Sequence, residues 1–226
     1  MDISICIPYF ERIERFNRTI QSFLKAGYFH GYPYEIELSV VDDGSIREPI
    51  EVDKIPACIP FKFNKLPQKT ERLNACTPLN MAVTQSTAPI ILLQSPETRH
   101  EDSIIHKMID RMQNYKSIVL GTVRSYDHPE IEWYAHPKHN PNKYWFCQMM
   151  TRKLWNRVGG IDERFRPGFG FEDADFVRRL NKLSAQWIWA EDCLAIHQDR
   201  DKLHPEGDRS NREILRDKIK KERRRG

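Results

Sequence analysis

Short apolar runs alternate with amphipathic stretches along most of this chain. Ile3-Ser4-Ile5-Cys6-Ile7 reads as a strand closed by Pro8. A helix is predicted over 11–25, where Ile13, Phe16, Ile20, Phe23 and Leu24 recur at helical spacing. A second strand over 34–41 runs into Asp42-Asp43-Gly44-Ser45, and Phe61-Lys62-Phe63 reads as a short third. The pattern then predicts a helix over 77–85, a fully apolar strand over 89–94, a helix over 103–115 and a strand over 117–122. Pro, His and Asn crowd 127–143, which reads as a loop. Helices over 151–158 and 171–183 and a strand over 186–190 follow.

Strand, helix and strand within about forty residues make a right-handed βαβ unit. The fold class is therefore α/β, a mostly parallel sheet with helices on both faces. The 226 residues fit one domain, with 1–125 as one half and 126–211 as the other. The composition, 39% hydrophobic and 11% aromatic, is that of a globular chain. No apolar run approaches the ~20 residues of a membrane span, and the start lacks the basic and apolar regions of a signal peptide. Five scattered cysteines without a C-x-x-C point to free thiols in a reducing, cytoplasmic setting. The net charge of +4 is uneven. Residues 212–225 hold eight basic against three acidic side chains, a surplus of five, so 212–226 is a basic tail on a nearly neutral body. Such a tail suits an anionic partner, and equally a solvated terminal helix.

Chemistry is expected at the strand ends, since ligands of open α/β sheets collect outside the carboxyl ends of the strands. Three segments qualify: Pro8-Tyr9-Phe10-Glu11-Arg12, Asp42-Asp43-Gly44-Ser45 and Gln94-Ser95-Pro96-Glu97. Asp-Asp-Gly-Ser supplies turn residues, and it also supplies carboxylates for a base N–H or a ribose hydroxyl. Further on, Gly168-Phe169-Gly170-Phe171 leads into Glu172-Asp173-Ala174-Asp175, placing three carboxylates at the start of a helix, where exposed amides favour them.

The order I-S-I-C-I-P-Y, V-V-D-D-G-S, Asn80 before an apolar strand, Gly159-Gly160-Ile161-Asp162-Glu163-Arg164-Phe165 and the Gly-Phe-Glu-Asp-Ala-Asp segment resembles the GT-A glycosyltransferases, above all family 2. The last block also resembles the acceptor-side Glu-Asp segment of the β-1,4-galactosyltransferases and the polypeptide N-acetylgalactosaminyltransferases. The resemblance implies a Rossmann-like GT-A fold and transfer of a sugar from a nucleoside-diphosphate sugar, a UDP-sugar first, to an acceptor hydroxyl with inversion. It implies that Pro8, Tyr9, Glu11, Asp42 or Asp43, Asn80 and Gln94 lie on the nucleotide-sugar side. Glu172 would hold the acceptor and Asp173 would take its proton, with Asp175 pairing inside the helix. Phe171 and Trp145 are the aromatic candidates for the acceptor sugar. The Asp-x-Asp usual after the middle strand is missing. Its place holds Gln94-Ser95-Pro96-Glu97-Thr98-Arg99-His100, similar to a Q-N-P-E-x-x-H variant. This leaves Glu97, and by position His197, as ligands for Mn²⁺ or Mg²⁺, with His197 also readable as a packed histidine at a strand end. His100 reads as a packing residue.

By the same resemblance, Arg200, Lys202 and Arg209, in a polar segment over 198–211, are candidates for a loop closing over the diphosphate, while the segment reads equally as an ordinary surface loop. The acceptor is expected to be a glycan, or a modified base in DNA held by the tail. Two rivals remain: a nucleotidyltransferase, for which the first strand lacks a glycine-rich loop, and a non-catalytic nucleic-acid-binding protein, which leaves the clustered carboxylates unexplained.

Overall fold

The computed structural model describes residues 1–70, 74–126, 143–198 and 209–224. In chain order the elements are β1 (Ile3–Tyr9), α1 (Ile13–Lys25), β2 (Ile36–Asp42), β3 (Phe61–Lys65), α2 (Cys76–Gln85), β4 (Ile90–Gln94), β5 (Thr98–His100), α3 (Ile105–Asp110), β6 (Ser117–Ser125), β7 (Cys147–Thr151), α4 (Arg152–Val158), α5 (Glu172–Lys182), β8 (Gln186–His197) and α6 (Arg209–Arg223). They form an α/β fold around one eight-stranded sheet of order β3-β2-β1-β4-β7-β6-β8-β5. β1, β2, β3 and β4 run parallel, as do β6 and β8, while β7 and β5 run against their neighbours.

The period-two alternation of a strand divides the core. From β1, Ile3, Ile5, Ile7 and Tyr9 meet Phe16, Ile20 and Phe23 of α1 on one face. Cys6 of the same strand joins Leu79, Ala82 and Val83 of α2, Leu154 and Trp155 of α4 and Phe176 and Leu180 of α5 on the other. Helices therefore cover both faces, as expected for a sheet whose central strands are apolar throughout. The chain leaves β1 toward β2 on one side, while β4 lies on the other, so the strand order reverses between β1 and β4. The crevice at their carboxyl ends is the switch point where ligands bind.

Five elements differ from the sequence expectation. The helix predicted over 103–115 is only α3, Ile105–Asp110. At its start Asp102 Oδ1 takes the amide of Ser103 and the Tyr28 hydroxyl takes that of Ile104. Past its end the amides of Gln113 and Asn114 turn to Ser117 Oγ. β5 and β7 were not foreseen. β8 runs on to His197, where the pattern broke at Ala190, because a bulge lets Gly121 pair with Ala190 and Thr122 with Leu194. Finally, the expected boundary after residue 211 falls inside α6, whose Lys218 pairs with Asp162 and Asp175 and whose Glu222 pairs with Arg178 and Lys182. Among the described residues no helix is long and apolar enough to cross a membrane.

Candidate active site

The first group of candidate residues lies at the ends of β1 and β2. Asp42 is fully buried, and its Oδ1 accepts from the Ser45 amide at 2.8 Å, closing the Asp-Asp-Gly-Ser turn. Gly44 is required in that turn. Its φ is +87°, and a Cβ would stand 2.1 Å from the Pro67 carbonyl oxygen. The next carboxylate, Asp43, lies between two cations, paired with Lys69 Nζ on one oxygen and with Arg166 Nη2 at 2.8 Å on the other. Of the two aspartates, Asp42 shapes the turn, with Lys65 Nζ 3.7 Å from its other oxygen, and Asp43 bridges two cations at the strand end.

Several donor-side candidates have their polar groups engaged within the protein. Tyr9 is 1% exposed, its ring set edge-on to Phe16, and its hydroxyl donates to the Glu48 carbonyl while accepting from the Arg12 amide at 3.0 Å. It is a core residue that ties down a loop, and burial pushes its phenol pKa up. Pro8 is likewise buried within β1. Glu11, at φ 48°, accepts from the amides of Ile46, Arg47 and Glu48 at 2.6–3.0 Å. Against the opposing cost of desolvation, these amides hold its pKa below the ordinary carboxylate value, and its carboxylate organises that loop. Asn80 is fully committed. Its amide nitrogen donates to the Ile161 carbonyl and Glu163 Oε1, and its oxygen accepts from the Ile161 amide, so it fastens α2 to the Gly-Gly-Ile-Asp-Glu turn. Gln94 is buried and bonds to the Ser95 and Thr98 carbonyls and His100 Nε2, because it points into the interior at the end of β4. His100 is a packed residue, hydrogen-bonded to the Tyr28 hydroxyl at 2.8 Å, and burial lowers its pKa to about 3.

At the switch point Glu97 and His197 come together, with Glu97 Oε1 at 3.4 Å from His197 Nε2. The pairing of Thr98 with His197 between β5 and β8 sets this contact. Arg12 Nη1 lies 2.5 Å from the same carboxylate oxygen, and all three side chains are nearly buried. One carboxylate and one imidazole at this spacing fit two neighbouring positions of an octahedral ion, since ligands at about 2.1 Å stand about 3 Å apart across a right angle. An imidazole in the set favours Mn²⁺ over Mg²⁺. Among the described residues no group of three or more His, Cys, Asp or Glu side chains could hold a metal, so a bound ion would complete its shell with substrate oxygens and water.

The second group is on α5. Glu172 and Asp173 begin the helix, after Gly170 and Phe171, both in left-handed backbone conformations. Asn74 Nδ2 donates to Glu172 Oε2 at 2.6 Å. Asp173 Oδ1 is buried without a hydrogen-bond partner. Burial first, and then the adjacent Glu172 carboxylate, raise the Asp173 pKa well above its ordinary value. Asp175 is fully buried and pairs with Arg178 and Arg179 at 2.7 Å, as expected, and also with Lys218 at 2.6 Å. Trp145 is 9% exposed and packs in the core, so it offers little face to a sugar. The Phe171 ring is covered on one side by the Arg212 guanidinium, 5.5 Å from its centroid. Phe169, 38% exposed, is the more open aromatic of the motif.

The two groups are linked. Arg166, bonded to Asp43, gives its carbonyl to the Asn74 amide at 3.0 Å, and Asn74 in turn holds Glu172. Sequence reasoning missed Arg12, Lys69, Asn74 and Arg166 as members of the site. Their only signal was position, one beside a strand end and the others between recognised blocks. Arg200 and Lys202 lie outside the described residues, while Arg209 opens α6 on the surface.

A doubly wound sheet with nearly buried ionic groups at its switch point and carboxylates on a following helix defines a GT-A-type nucleotide-sugar fold. The profile of Glycosyl transferase family 2 matches residues 4–175, and the chain belongs to that family. Among solved structures it is similar to the mannosyltransferase PcManGT from Pyrobaculum calidifontis in complex with GDP-Man and Mn²⁺. The TM-score is 0.68 at 15% identity, over 89% of this chain and 58% of that one. It is also similar to S. aureus TarS (TM-score 0.66, 14% identity, 88% of this chain and 37% of that one). For TarS 1–349 in complex with UDP-GlcNAc the TM-score is 0.65 at 16% identity, over 90% of this chain and 60% of that one. The chain thus spans less than two thirds of the length of each of these chains. No curated protein matches it in sequence.

Proposed function

We propose that the protein transfers a sugar from a nucleoside-diphosphate sugar, preferentially a UDP-sugar, to an acceptor hydroxyl with inversion. The observation that carries this reading is the Asp173 carboxylate at a helix start, with one oxygen buried without a partner, beside the Glu172 carboxylate that helps to raise its pKa. A general base works best when its pKa approaches the working pH. The acceptor oxygen attacks the anomeric carbon, the bond from that carbon to the diphosphate oxygen breaks, the nucleotide leaves with the electron pair, and Asp173 takes the acceptor proton. Glu172, steadied by Asn74, holds the acceptor hydroxyl in line. Phe169 and Phe171 bound the acceptor side. Asp43, with Lys69 and Arg166, holds the nucleotide end, and the Arg12 guanidinium offsets charge at the switch point.

Glu97 and His197 would hold a divalent ion, Mn²⁺ or Mg²⁺, which when bound supplies positive charge to the leaving diphosphate. The Mn²⁺ in the PcManGT complex supports this assignment. GDP-Man and UDP-GlcNAc in the neighbouring structures make both nucleotides worth testing. All five cysteines are free, which supports a reducing, cytoplasmic setting. For the acceptor, Arg216, Lys220, Lys221 and Arg223 are exposed on α6 while Lys218 and Glu222 turn inward, and this outer basic face favours an anionic acceptor such as DNA over a neutral glycan.

The test is nucleotide release from a panel of UDP-Glc, UDP-Gal, UDP-GlcNAc and GDP-Man, with and without Mn²⁺ and with water as acceptor. Release from one donor, suppressed by EDTA and by Asp173→Asn, is expected. No release and no binding of UDP or GDP by folded protein would refute the reading.

A further inference from the structure

The backbone between Phe165 and Glu172 is held in a costly shape. Gly170 and Phe171 have φ of 76° and 68°, and the second carries a side chain in a region that such residues resist. Persistent strain requires a neighbour that fixes it, and that neighbour is Asn211 of α6. Asn211 is fully buried, and its Nδ2 donates to the Phe165 and Gly170 carbonyls, both at 2.9 Å. The amide lies flat against Gly168. A Cβ there would meet Oδ1 at 2.6 Å, Cγ at 2.7 Å and Nδ2 at 2.9 Å.

α6 is itself fixed on both sides of this loop. Lys218 pairs with Asp162 before it at 2.5 Å and with Asp175 after it at 2.6 Å. Glu222 joins Arg178 and Lys182 of α5. The helix therefore presents Asn211 to the loop as a rigid clasp, and the last turn of that loop is what aims Glu172 and Asp173.

We propose that Asn211 is a positioning residue for the two carboxylates, so that α6 is a working part of the catalytic site rather than an appended basic segment. The inference rests on the transfer reading above. Asn211→Ala releases both carbonyls, and Asn211→Asp, of the same shape, cannot donate to them. Gly168→Ala pushes a methyl group against the clasp from the other side.

The experiment measures nucleotide release from the best donor of the panel, UDP affinity, the pH dependence of turnover and amide exchange over 168–173. Both Asn211 variants are expected to lose at least tenfold in kcat with UDP affinity unchanged within twofold. The acid limb of the pH profile should move to lower pH, because a loosened Asp173 is better solvated. Exchange over 168–173 should quicken at least tenfold while β1 and α2 stay protected. Gly168→Ala should cost less in the Asn211→Ala background than alone, since the contacted amide is then gone. An unmoved pH profile and unchanged exchange in Asn211→Ala, with Asp173→Asn inactive, would overturn the clasp and leave the transfer reading standing. Quickened exchange with Asp173→Asn fully active would instead sink the transfer reading and, with it, the catalytic purpose of the clasp. Should Asn211→Ala fail to fold, Gly168→Ala decides by the same readouts.

Discussion

The strand ends of the first half and the turn into α5 carry similar densities of carboxylate, yet they use it differently. At the strand ends, Glu11 and Asp42 have oxygens that accept from backbone amides of a turn or loop, and Asp43 lies between two cations. At α5, Asp173 keeps an oxygen with no partner at all. A carboxylate near a cation keeps its charge at little cost, while one buried beside another carboxylate has its pKa raised toward the range in which it can take up a proton. Asp42 Oδ2 and Asp173 Oδ1 are both buried without a hydrogen bond, but Asp42 has the Lys65 ammonium 3.7 Å away whereas Asp173 has the Glu172 carboxylate beside it. Of the two, the ordinary rule that buried polar groups are satisfied is broken without a compensating cation only at α5.

The largest expected effect is at the broken rule. Asp173→Asn should lower turnover ~10²–10⁴-fold with UDP affinity unchanged, read as kcat and as the heat of UDP titration. The same variant should raise Tm near pH 7. Because the folded pKa of Asp173 is raised, its contribution to stability is full below the unfolded value and is lost as pH rises through the folded one. The neutral amide removes that loss, and an unchanged Tm across this range would mean the carboxylate is not strained. Next, Asp43→Ala strands Lys69 and Arg166 and should weaken UDP binding by about ten- to hundredfold, with turnover at saturating donor nearly kept. Equal UDP affinity would place the nucleotide elsewhere.

Smaller effects test the structural side of the comparison. Tyr9→Phe deletes two hydrogen bonds and should cost about 1–3 kcal/mol of stability in urea titration, with UDP affinity untouched. Loss of UDP affinity instead would return Tyr9 to the donor site. The smallest effect concerns Glu37, whose carboxylate sits 3.0 Å from Lys62 and accepts from Ser4 and Thr87. Although desolvation opposes them, these partners lower its pKa to about 2. Its stabilisation is therefore complete above the ordinary carboxylate range and fades as pH falls toward 2. Glu37→Gln should flatten the fall of Tm in that window and leave activity alone.

Much of this architecture was legible in the residues. The apolar runs of β1 and β4 and the helical spacing of α1 fix the doubly wound half, because burial on both faces leaves one solution for such strings. The Asp42-Asp43-Gly44-Ser45 turn and the Glu172-Asp173 start of α5 were visible from turn and helix-start chemistry. What stayed hidden depends on partners far along the chain. β7, Cys-Gln-Met-Met-Thr, has no alternation and buries its glutamine. Whether Gln94 and Asn80 face a ligand or a carbonyl is decided by Thr98 and Ile161, which no local pattern reveals. The charge count of 212–226 showed its basicity but not that Lys218 would turn inward to two aspartates.

β5 has consequences for assembly. It is a three-residue strand at the sheet edge with β8 as its one partner there. Glu97 immediately precedes it and His197 ends its partner, so their meeting waits on closure of a loop of roughly one hundred residues, an entropic cost that only the remaining sheet can offset. β5 is not a bare edge, however: Thr98 and His100 are buried and the His100 amide donates to Ser22 Oγ of α1, so the Glu97–His197 pair depends on the docking of α1 as well as on β8.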